Sequence, residues 1–189
     1  MKIAILARGE SLVKFPGNDK FDEVWGLNKL AESHQLDRLY LMDDLKLRVP
    51  FYEGEEWAEW LKTYKGRIIT SKVYEEWPCE AFPIVEVAHH FGLPLGIAMY
   101  STVDYMLAAG IYEEVDEIHL YGVDCPYKAV TDVVRQSIAT WIGAALSRGI
   151  KVTTPYESAF QWSTHVGLIH EQGLYGYVAR PRIEDLVRA

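Results

Sequence analysis

A chain of 189 residues, 49% hydrophobic and 24% charged, is long enough to bury a core within one domain. Its formal net charge of −8 excludes the spread basic footprint that holds a nucleic-acid backbone or an anionic membrane surface, so any phosphate contact must be local. No unbroken apolar stretch suits a membrane span, and the opening apolar run is too short for a secretory signal. The only cysteines, Cys79 and Cys125, have no CxxC spacing. The expectation is one cytoplasmic domain over 1–189 with free thiols and no thiolate zinc site.

In chain order, the apolar run 3–6 ends on Arg8-Gly9-Glu10-Ser11 and reads as a buried strand closing in a turn. Two more strands are expected over 23–28 and 39–42, closing on Asn28 and on Asp43-Asp44. Trp57, Trp60, Leu61 and Tyr64 fall at helical spacing within 55–64, and 67–70 returns as a short strand. Pro78, Pro83 and Pro94 interrupt periodicity in the aromatic stretch 73–96, which reads as irregular structure or a lid.

Ser101-Thr102 stand before the stripe Val103, Met106, Leu107 and Ile111, a helix with a hydroxyl at its N-cap. The segment 117–124 alternates as a strand and ends in Asp124. Val134, Ile138, Trp141 and Ala145 then mark a second amphipathic helix, closed by Arg148 and Gly149, before a last strand at 150–153. A C-terminal extension, 156–189, carries a short helix at 183–187. Strands alternating with helices imply an α/β, Rossmann-like three-layer sandwich with a mainly parallel sheet.

In such a sheet, ligands collect beyond the carboxyl ends of the strands, where helix N-termini present unpaired N–H groups. Gly9 and Ser11, Asn28, Ser101 and Thr102, and the loop from Asp124 to Tyr127 would converge on that edge. A hydroxyl pair at a positive helix end suits an anion, although the same residues also make an ordinary N-cap. Gly9 and Ser11 equally suit plain turn chemistry, and Asp43-Asp44 suit either a divalent metal or a solvated strand end.

The opening strand with Gly9, Ser11 and Leu12, then Asn28, then Ser101-Thr102-Val103-Asp104-Tyr105-Met106 leading to Tyr121-Gly122-Val123-Asp124, resembles the bacterial sialyltransferase-like family. That family shares its core with motility accessory factors and pterin diphosphokinase-like proteins, and small phage proteins look similar. The resemblance spans about 2–155. It implies that Gly9 and Ser11 line a nucleotide phosphate or sugar, that Asn28 contacts the nucleoside, and that Ser101 and Thr102 hold the phosphate or transferred group. It places Asp124 at the ribose or metal-facing edge and Tyr127 where it donates to the leaving phosphate, the two expected catalytic positions. The chain departs from the family in carrying Glu10 within the opening turn and no histidine between Cys125 and Thr131. A general base would then come from elsewhere, with His165 and His170 in the tail as candidates.

The expected function is therefore a nucleotide or nucleotide-sugar binding domain, a reduced glycosyltransferase acting on a small acceptor. Two rivals stay open: a diphosphokinase-like phosphotransferase whose Asp43, Asp44 and Asp124 hold magnesium, and a non-catalytic nucleotide or signal-molecule binder. The aromatics between Trp57 and Phe91 suit either a pocket wall or the contact of a homo-oligomer.

Overall fold

The structure, a computed structural model, describes residues 1–49, 54–92, 99–125, 132–155, 158 and 160. Seven strands form one sheet: β1 (Lys2–Leu6), β2 (Glu23–Leu27), β3 (Arg38–Leu41), β4 (Arg67–Thr70), β5 (Cys79–Ala81), β6 (Glu117–Tyr121) and β7 (Lys151–Thr153). The order is β5-β4-β3-β2-β1-β6-β7, and every neighbouring pair is parallel. A central parallel strand is covered on both faces, which is why β1 needs an unbroken apolar run rather than an alternating one. Ile3, Ala4, Ile5 and Leu6 are all fully buried.

The helices are α1 (Leu45–Arg48), α2 (Glu55–Lys62), α3 (Ile84–Phe91), α4 (Thr102–Tyr112) and α5 (Asp132–Ser147). Short 3-10 turns at Glu10–Lys14, Asn18–Lys20 and Asn28–Glu32 replace full helices between the first three strands. From β1 to β5 each strand adds beside its predecessor. The chain then returns across the sheet and adds β6 and β7 on the other side of β1. With right-handed crossovers, the early connections cover one face and α4 and α5 the other. The direction of winding therefore reverses between β1 and β6, and that is where an open α/β sheet leaves a crevice at its carboxyl edge.

Helix α4 packs against β1, β2, β3, α3 and α5. Its inner side chains Met106, Leu107, Ala108 and Ile111 are essentially inaccessible, each large apolar one gaining about 1.5–3 kcal/mol by burial. β6 does alternate. Ile118 and Leu120 are buried under the α4 side, while Glu117, His119 and Tyr121 lie half-covered on the other face beneath Phe15 and Phe21.

The stretch read as irregular over 73–96 holds β5 and α3 in its described part. Its described prolines bound elements instead of breaking them: Pro78 directly precedes β5, Pro83 is the N-cap residue of α3, and left-handed Gly92 closes that helix. β5 escapes sequence reading because an edge strand of three largely exposed residues carries no apolar signal. The remaining strands and helices expected within the described residues form within a few residues of their expected bounds. The tail helix at 183–187 lies outside the described residues.

Candidate functional site

The carboxyl ends of β1 and β6 are clasped together. The Gly9 amide donates to the Gly122 carbonyl at 2.8 Å and the Ala7 amide to the Tyr121 carbonyl at 2.8 Å, carrying the β1–β6 ladder into the loops. The Ser11 amide donates to Asp124 Oδ2 at 2.7 Å, the Ser11 hydroxyl donates to Asp124 Oδ1, and the Ser11 Oγ in turn accepts the Gly122 amide at 2.9 Å. Both glycines are required by this closeness. A Cβ on Gly9 would lie 2.6 Å from the Gly122 carbonyl oxygen. Gly122 sits at φ 72, and its Cβ would fall 2.7 Å from the Ala7 carbonyl carbon. Ser11 is buried and Asp124 half-buried.

Beside β1, the chain leaves β2 at Asn28, which adopts a left-handed conformation with φ 52. Asparagine tolerates this region better than most side chains. Its Oδ1 is buried and accepts no hydrogen bond. A buried acceptor without a donor carries a desolvation penalty of about 1–3 kcal/mol, which a donor supplied by a ligand would relieve.

Since α4 leads within a few residues into the amino end of β6, it runs antiparallel to the strands and its N-terminus stands at this same edge. Ser101 caps it in a reciprocal box. The Ser101 hydroxyl accepts the Asp104 amide at 3.4 Å, and Asp104 Oδ2 accepts the amides of Tyr100 at 2.8 Å and Ser101 at 2.7 Å. The same Oδ2 also receives the hydroxyls of Ser101 at 3.0 Å and of Ser137, from the start of α5, at 2.8 Å. Asp104 is wholly buried, and burial holds its carboxyl above the usual aspartate range. Among the described residues the amides of Thr102 and Val103 have no hydrogen-bond partner, leaving two N–H groups at the positive end of the helix.

Arg135 in α5 donates to the Cys125 carbonyl at 3.4 Å, so the Asp124-Cys125 turn lies near the α4–α5 contact. The Cys125 thiol is pushed up to about 11 by burial, aided by the Asp104 and Asp124 charges. Such a thiol is a poor nucleophile.

Gly9, Ser11 and Asp124 thus meet directly. Asn28 and the Ser101-Thr102 cap stand on the same edge, with no direct bond to them among the described residues. Tyr127, His165 and His170 lie outside the described residues. Asp43 and Asp44 follow β3 on this edge, but their carboxylates are engaged. Asp43 pairs with Arg48, and Asp44 caps α1, pairs with Lys72 at 3.1 Å and accepts the Tyr74 hydroxyl at 3.1 Å. The Lys72 partner holds the Asp44 carboxyl below its usual value. Among the described residues no three histidine, cysteine, aspartate or glutamate side chains cluster to hold a metal, and no helix is long and apolar enough to cross a membrane.

The sequence motifs contained Asp104 and Gly122 without giving either a role, and did not include Ser137. The Ser-x-x-Asp spacing of 101–104 was a usable sign of the capping box. Nothing local marks Ser137.

No protein-family model matches the chain, and no curated protein matches its sequence. Solved structures do resemble it. The sialyltransferase CstII from Campylobacter jejuni, in complex with the substrate analogue CMP-3FNeuAc, aligns over 81% of this chain and 79% of its own at 14% identity and a TM-score of 0.52. The sialyltransferase CST-II in complex with a trisaccharide acceptor and CMP aligns over 82% and 80% at 13% identity and a TM-score of 0.54. Thiamine pyrophosphokinase from Bacillus subtilis aligns over 82% of this chain and 60% of its own at 11% identity and a TM-score of 0.46. The likeness to the sialyltransferases establishes the Rossmann-like α/β fold.

Proposed function

We propose that the chain binds a nucleotide or nucleotide-sugar at the carboxyl edge between β1 and β6 and acts as a glycosyltransferase-like protein on a small acceptor. The observation that carries this reading is the buried, unpartnered Asn28 Oδ1 beside the clasped β1 and β6 loops at the point where the sheet reverses its winding. The sialyltransferase structures of the same fold are described with CMP and a CMP-sugar analogue, which favours a cytidine nucleotide as the first ligand to try. In this reading Asn28 accepts a donor from the nucleoside, and the free amides of Thr102 and Val103 face phosphate. Ser101 acts by shaping the cap, Asp124 by fixing the turn that carries Gly9 and Ser11, and Tyr127 donates to the leaving phosphate.

A non-catalytic binder is the second reading, favoured by the lack of histidine between Cys125 and Thr131. A magnesium-dependent phosphotransfer role is not favoured, because the Asp43 and Asp44 carboxylates already hold Arg48 and Lys72. The test is a thermal-shift series with CMP, CMP-sugars and ATP, each with and without magnesium. CMP or a CMP-sugar raises the melting temperature of the native chain, and Asn28→Ala loses most of the rise while keeping its fold. A series with no nucleotide response would remove the proposal. A CMP-sugar recovered intact after long incubation with acceptors would select the binder.

A further inference from the structure

A second cleft, of about 210 Å³, opens at the opposite end of α4 from the proposed nucleotide site, between the sheet face of β3–β5 and helices α3 and α4. Its charged lining comes from the amino ends of β3 and β4 and the carboxyl end of α4, where Arg38, Arg67 and Glu113 stand, joined by Glu80 of β5. The 11 residues of α4 separate this region from the Ser101 cap by about 16 Å at 1.5 Å per residue, so one small molecule cannot fill both.

Arg38 anchors the cleft. Although burial opposes its charge, two carboxylates hold it protonated: Glu113 accepts its Nη1 at 2.5 Å and Nη2 at 2.9 Å, and Glu23 pairs with Nε at 2.7 Å. Its guanidinium also lies 4.3 Å from the Trp25 ring centroid. Arg67 differs. Only its Nε is engaged, by Glu80 Oε1 at 2.7 Å, and both Nη groups are without a partner among the described residues. Glu80 keeps a second oxygen, and Glu113 remains partly exposed to the cleft. The remaining wall is apolar and aromatic, with Ile69, Phe82, Val87 and Tyr112.

The four lining charges cancel, two arginines against two glutamates. A guest with net charge would enter a partly dry site without compensation, whereas one carrying both signs would match the open Arg67 fork and the second oxygen of Glu80, beside the Glu113 carboxylate. The volume is below the ~300–1,000 Å³ common for drug-sized ligands, which suits a molecule smaller than a nucleotide. We infer that this cleft binds a zwitterionic, amino-acid-like molecule with an apolar side chain. The carboxylate sits on the Arg67 Nη pair, the ammonium on the second oxygen of Glu80 facing Glu113, and the side chain against Phe82 and Tyr112.

The test titrates L-phenylalanine and L-leucine into the isotopically labelled full chain and follows the Ala81 and Ala109 backbone amides, with phenylacetate and phenethylamine as single-charge controls. At least one amino acid moves these amides and binds at least tenfold more tightly than either control. Arg67→Gln, a change at a half-exposed side chain, weakens it at least tenfold, and Asn28→Ala leaves it unchanged. The inference is overturned if neither amino acid moves Ala81 and Ala109, if a single-charge control binds as tightly, or if Arg67→Gln binds like the native chain.

Discussion

Asp104 offers the sharpest test of how the candidate edge is held together. Its Oδ2 collects the Tyr100 and Ser101 amides and the Ser101 and Ser137 hydroxyls, while its Oδ1 is buried without a partner. In Asp104→Ala the two amides lose their acceptor, but the Ser137 hydroxyl can still donate to the Val134 carbonyl at 3.1 Å. Two unsatisfied amides at about 1–3 kcal/mol each, part of which is the capping box itself, lead to an expected loss of about 3 kcal/mol. Asp104→Asn differs: the amide oxygen replaces Oδ2 as acceptor, and the NH2 occupies the place of the orphaned oxygen. Its expected cost is below about 1 kcal/mol.

The pH dependence separates charge from shape. Burial raises the Asp104 pKa from its usual 3.8, so the native state binds the proton more tightly than the unfolded chain. Stability from this group is full below the unfolded value and is lost as pH rises through the folded one. That component is absent in Asp104→Asn, so the difference between the two proteins moves in favour of the variant as pH rises from about 3.8. Equilibrium urea unfolding across this range measures both effects. The reasoning fails if Asp104→Ala stays within about 1 kcal/mol of the native protein, or if Asp104→Asn loses as much as Asp104→Ala.

Gly9→Ala places a methyl group 2.6 Å from the Gly122 carbonyl oxygen and against Asp124, so the β1–β6 clasp must open. The expected loss is about 2–4 kcal/mol from the Gly9 and Ser11 bonds, read by the same unfolding assay. His119 has its pKa lowered from the usual 6.5, first by burial, despite the Glu117 carboxylate 2.8 Å from its Nε2. Its contribution is therefore full above 6.5 and is lost as pH falls through the lower folded value; His119→Gln should flatten the fall in stability below pH 6.5, read by the same urea unfolding.

Much of this architecture was legible in the chain. The unbroken apolar run of β1 announced a strand covered on both faces, and the stripe from Val103 to Ile111 announced a helix with its cap at Ser101. Gly9, Ser11 and Asp124 could be placed on one edge because each follows an apolar strand. These signals are local, set by periodicity and by backbone groups needing caps within a few residues.

The tertiary structure alone decided which polar groups face one another. Ser11 meets Asp124 across 113 positions and Arg38 meets Glu113 across 75, pairings that depend on β6 adding beside β1 and α4 crossing β3. No window of sequence contains such partners, and a buried arginine is tolerable only once both carboxylates have arrived. Asn28 read as a polar strand end. That its Oδ1 is enclosed yet unpaired followed only from the packing of the neighbouring loops, because burial belongs to the assembled sheet and not to the residue.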